Sequence, residues 1–108
     1  MSAEKLLEFQ KTYPDGTAHS DGGCTFVSIP ILKLGADGVE TEYAALLCPQ
    51  SHSGYLTRLF LNRQVSGKGR NWNSFPILGG TWWSCSLQGI SPDQSYLSIL
   101  LAHMGHLQ

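Results

Sequence analysis

The stretch NWNSFPILGGTWWSCS, Asn71 to Ser86, gathers three serines, a cysteine, two asparagines and all three tryptophans of the chain. Among these, cysteine is the type best suited to nucleophilic work: a thiol ionises not far above neutral pH, whereas a serine hydroxyl needs a neighbouring base. Cys85 sits between Ser84 and Ser86, beside Trp82 and Trp83. It reads either as a shielded nucleophile or as a small apolar residue packed under a helix. Asn71 and Asn73 flank Trp72 and point the same way in an extended segment. Their amides suit either stabilisation of an oxyanion or the backbone groups of a loop. His52, in Ser51-His52-Ser53, is a candidate base or a surface loop histidine, and sequence neighbours rarely form a triad. His103 and His106 are three apart, with no Cys, Asp or Glu at ligand spacing, so they read as a helix end and no metal site is expected. Cys48 ends an apolar run and reads as core; Cys24 has no evident partner.

Local patterns place these residues on elements. Leu6, Leu7 and Phe9 among good helix formers predict a short N-terminal helix, with Ser2 as its N-cap. TYPDGTAHSDGG has the composition of a loop. CTFVSIPILKL predicts a strand in which Pro30, lacking an N–H, marks an edge or a bulge. GADG predicts a turn, and VETEYAALLC a strand that becomes buried towards its end. YLTRLFLN predicts a further strand and RQVSGKGRN a loop. Ser91, Pro92 and Asp93 mark the start of a C-terminal helix, Tyr96, Ile99, Leu100 and His103 recur at helical spacing, and Gly105 marks its stop. The predicted fold is α+β: one domain, 1–108, with an antiparallel β-meander, a short N-terminal helix and a C-terminal helix packed on it.

Composition narrows the function. Seven Lys plus Arg stand against eight Asp plus Glu in 108 residues, so no basic stripe favours nucleic acid. Three separated cysteines form neither a CxxC pair nor a disulfide framework, which suits a reducing cytoplasm. The N-terminus lacks the order of a signal peptide, and YAALLC is too short to span a bilayer. A cytoplasmic protein without membrane contact is expected.

With these elements in place, ALLCPQSHSGYLTRLFL resembles the core of ubiquitin-conjugating enzymes: a strand ending in proline (Pro49), a polar loop, a tyrosine (Tyr55) and another strand. Downstream the family has an active-site cysteine on an extended segment, an apolar pair, a tryptophan and a helix. Here the order is Ser74, then Phe75, Ile77 and Leu78, then Trp82 eight residues after Ser74, then the helix from Ser91. The resemblance covers residues 26–104 and is similar to the compact conjugating enzymes of bacterial operons for ubiquitin-like proteins, whose setting implies antiviral defence. The chain departs from the family in lacking the His-Pro-Asn tripeptide, in having Leu56 after Tyr55, and in placing Ser74 where cysteine is expected.

The resemblance implies an acyltransferase that takes a modifier's C-terminus from an activating enzyme, holds it as an ester on Ser74, and passes it to a target amine. The expected partners are a ubiquitin-like protein, the activating enzyme and the target; no cofactor is implied. By the family's use of an asparagine near the nucleophile, Asn71 or Asn73 would stabilise the oxyanion, and Cys85 is the rival nucleophile. Ser74 is open to three readings: a native nucleophile forming an oxyester, a replacement for cysteine, or a relic of lost catalysis. The alternative functions are a non-catalytic module of the same fold that recruits or presents the modifier, and an unrelated small α+β domain.

Overall fold

The computed structural model describes residues 3–36, 38–65 and 71–108. The Ser2 cap and the centre of the RQVSGKGRN loop lie outside the described residues. The chain runs α1 (Ala3–Gln10), β1 (Thr17–Asp21), β2 (Cys24–Ala36), β3 (Val39–Cys48), β4 (Arg58–Leu61), β5 (Trp72–Ile77), β6 (Gly80–Cys85) and α2 (Tyr96–Leu107). The α+β architecture with a helix at either end is as predicted. The sheet is larger: six strands in the order β1-β2-β3-β4-β6-β5, every neighbouring pair antiparallel. It is therefore not a plain meander, because β6 lies between β4 and β5.

Two departures from the sequence reading have local causes. The segment read as a loop contains β1, which pairs with β2 through Gly22-Gly23, both at positive φ. That is the backbone a two-residue hairpin turn demands. An edge strand needs no buried face, so its polar composition was no obstacle. The second departure is at α2, which starts after Ser95 and not Ser91. Ser95 Oγ accepts from Ser98 N at 3.1 Å, while Ser91 Oγ accepts from Asp93 N at 3.0 Å and closes only a turn. The helix also passes through exposed Gly105 to Leu107.

Pro30 marks a bulge, as its missing N–H suggested. The β2–β3 register shifts between the pairs Ile29↔Ala45 and Leu32↔Tyr43, so two residues of β2 oppose one of β3. The extra residue reverses the alternation, which is why Val27, Ile29, Leu32 and Leu34 all enter one core. That core lies between the sheet and the helices and includes Phe9 from α1 with Tyr96, Ile99, Leu100, His103 and Leu107 on the buried face of α2. On the other face Phe26, Leu46, Cys48, Phe60 and Ile77 form a smaller cluster. The sheet curls around it until the edges meet: Leu78 N, in the β5–β6 turn, donates to Asp21 Oδ2 of β1 at 2.6 Å.

Candidate functional site

The β5–β6 hairpin settles which candidate residues share a face. Its register pairs Trp72 with Cys85, Asn73 with Ser84, Ser74 with Trp83 and Phe75 with Trp82. Trp72 and Cys85 belong to the helix-side core, so alternation puts Ser74 and Trp83 on that side too. Ser74 and Cys85 are thus diagonal cross-strand neighbours, a relation that corresponds to about 7–8 Å. Trp82 and Phe75 pack on the opposite cluster, and Asn73 shares their face. Asn73 therefore points away from both candidate nucleophiles. Asn71 is exposed just before β5, and no described hydrogen bond ties its side chain to either.

Ser74 is exposed on the outermost strand of the sheet, and no described residue forms a hydrogen bond with its hydroxyl. Among the described residues no base is hydrogen-bonded to it. Cys85 is different. Its Sγ lies 3.7 Å from Nε2 of His106, which α2 carries across the end of β6. A thiol and an imidazole at that distance can exchange a proton, the usual way to activate a cysteine. The thiol is only 7 % exposed. Trp82 and Trp83 are both half-buried, on opposite faces of β6.

His103 fixes the helix that presents His106. It is buried, with Nε2 at 3.0 Å from Thr57 Oγ1, and that hydroxyl donates to Ile90 O at 3.0 Å. The hydroxyl proton is then committed to Ile90, so His103 Nε2 must be the donor to Thr57. Burial, reinforced by His106 and Arg58, pushes His103 down to about 4, so it is neutral at pH 7. The pair read as a helix end is thus an ordered element. One histidine locks α2 to the loop before β4 and to the segment before α2, and the other meets Cys85. Among the described residues no group of three or more His, Cys, Asp or Glu could hold a metal.

Of the remaining cysteines, Cys48 is not poised to react. Cys48 is fully buried, and burial raises its thiol to about 11. Cys24 is half-buried beside the same cluster. His52 does approach β5: its ring centroid lies 5.6 Å from Phe75, 5.2 Å from Phe60 and 5.9 Å from Phe26. It stands on the face opposite Cys85, its Nδ1 2.9 Å from Ser53 Oγ, and burial together with Arg58 lowers its pKa. A separate cleft of about 90 Å³, bordered by Tyr13, Pro14, Pro30 and Ile31, holds none of the candidate residues.

Sequence reasoning missed His106 as a partner of Cys85, and it missed Arg58. The first is a tertiary contact across 21 residues with no local signal. The second had one: a lone cation inside the apolar run YLTRLFL. Comparison of the chain with protein-family models, curated proteins and solved structures finds no match in any of the three. No helix of the described residues is long and apolar enough to cross a membrane.

Proposed function

We propose that the chain is a conjugating enzyme for a ubiquitin-like protein, with Cys85 as the acyl acceptor and His106 as its base. The observation that carries this reading is the 3.7 Å contact between Cys85 Sγ and His106 Nε2. The order of N-terminal helix, antiparallel sheet and C-terminal helix supports it. In the exchange, His106 takes the thiol proton as Sγ attacks the activating enzyme's thioester, and returns it to the departing thiolate. A target amine then attacks the Cys85 thioester, forming the amide and releasing the thiol. The exchange calls for no bound cofactor, since ATP is consumed earlier, by the activating enzyme. Ser74, exposed on the same face, marks the side from which the modifier's tail reaches the thiol, and is itself the second candidate acceptor.

The burial of Cys85 favours one other reading, a non-catalytic module that binds the modifier. Incubation with activating enzyme, modifier and ATP separates the readings. The proposal expects an adduct that reductant removes and that Cys85→Ala abolishes. An adduct that resists reductant but not hydroxide, and is lost in Ser74→Ala, moves the acceptor to Ser74. Binding without any adduct would establish the module.

A further inference from the structure

Arg58 is a buried cation with no anion beside it among the described residues. The residue is 4 % exposed, its Nε donates to His52 O at 3.3 Å, and Nη1 is buried with no hydrogen-bond partner among the described residues. Its guanidinium carbon lies over two half-buried rings, 4.3 Å from the centre of Tyr55 and 4.9 Å from that of Phe75. Ring faces attract a cation but carry no net charge, so they do not neutralise it. The ion pair found among the described residues, Lys11–Glu8, is elsewhere. Segment 66–70 reads Ser-Gly-Lys-Gly-Arg and contains no carboxylate.

A charge removed from water without a counter-ion is costly, and so is a buried N–H without an acceptor. Both are met by one missing group, an oxygen anion facing the free edge of the guanidinium. Its charge is set by the surroundings. His52, whose carbonyl accepts from Arg58 Nε, has its charged form disfavoured by burial and by Arg58, which leaves the guanidinium as the positive charge of this turn at neutral pH. A monoanion balances it, and a planar carboxylate matches the forked geometry of a guanidinium.

We propose that Arg58 is the receptor for a carboxylate group of a ligand or partner chain, entering beside the His52–Tyr55 turn. That turn is a single β-bridge, His52 N to Tyr55 O at 2.9 Å and Tyr55 N to His52 O at 3.1 Å, around exposed Ser53 and Gly54, both at positive φ. The Tyr55 ring is the one cover over the guanidinium carried by this turn, and it swings outward as the anion enters. Arg58 projects from the face opposite Cys85, so the proposal stands apart from the acyl-transfer reading.

The test is a titration of the ¹⁵N-labelled protein at constant ionic strength, with sodium acetate replacing sodium chloride. The Arg58 Nε–H resonance is expected to shift saturably, while that of exposed Arg63 does not. Tyr55→Ala, which retains Arg58, should bind acetate at least threefold more tightly, and Arg58→Gln at least tenfold more weakly. N-acetylglycylglycine in place of acetate distinguishes the source: tighter binding points to a chain terminus, equal binding to a small carboxylate. An Arg58 resonance that stays still, or that follows Arg63, overturns the proposal. So does phosphate binding more tightly than acetate.

Discussion

Protonating His103 should loosen the protein by an amount that can be worked out in advance. Its folded-state pKa is about 4, against an ordinary 6.5, because burial disfavours the cation and His106 and Arg58 add to the effect. The folded state therefore prefers the neutral ring. Above pH 6.5 the ring is neutral in both states and its stabilisation is fully present. As pH falls, the unfolded chain takes up a proton that the folded chain refuses, and stability is lost down to about pH 4. The linkage amounts to about 2 kcal/mol at pH 5 and about 3 kcal/mol at pH 4. For a domain whose total stability is on the order of 5–15 kcal/mol, that is a large share. Urea unfolding at intervals from pH 7.5 to 4.0, for the protein and for His103→Gln, measures it. The glutamine amide can still donate to Thr57 Oγ1 but does not titrate, so the two curves should converge towards acid pH. Parallel curves over the whole range would refute the reasoning, since other groups would then carry the acid sensitivity.

Two further perturbations probe the framework. Leu78, in the β5–β6 turn, sits at φ 51° with a side chain 43 % exposed. Leu78→Gly should therefore raise stability by about 1 kcal/mol in urea unfolding, as left-handed strain is relieved. Ser95→Ala removes the acceptor for Ser98 N at the start of α2 and should cost about 1 kcal/mol, whereas Ser91→Ala should cost less because Ser91 closes only a turn. Thermal unfolding of the two variants side by side checks where the cap lies.

What could be read in the sequence follows from how local its cause is. Pro30 announced a bulge because a missing N–H is a property of one residue. Tyr96, Ile99, Leu100 and His103 announced α2 because its buried face repeats at helical spacing. The start of that helix misled because Ser91-Pro92-Asp93 carries every local mark of a cap, yet those groups serve other ends: Ser91 Oγ closes a turn and Pro92 O accepts from Lys5 Nζ at 3.1 Å. The Gly22-Gly23 pair was a hairpin signal hidden in a polar stretch. The position of β6 between β4 and β5 has no local cause, since it depends on how the chain crosses between them. The candidate site divides in the same way. Cys85 and Ser74 stand out by residue type and order, but their common face comes from the hairpin register and the His106 contact from the docking of α2.

The central claim is that His106 makes Cys85 a usable nucleophile, and the most direct measurement is site-resolved alkylation of the native protein. Iodoacetamide labelling rates, resolved by peptide mass across pH 6 to 9, should show Cys85 reacting well ahead of Cys48, whose thiol is raised to about 11. The Cys85 advantage should be greatest near neutral pH and should fall at least tenfold in His106→Gln. A Cys85 that labels no faster than Cys48, or that labels at the same rate with and without His106, would contradict the account.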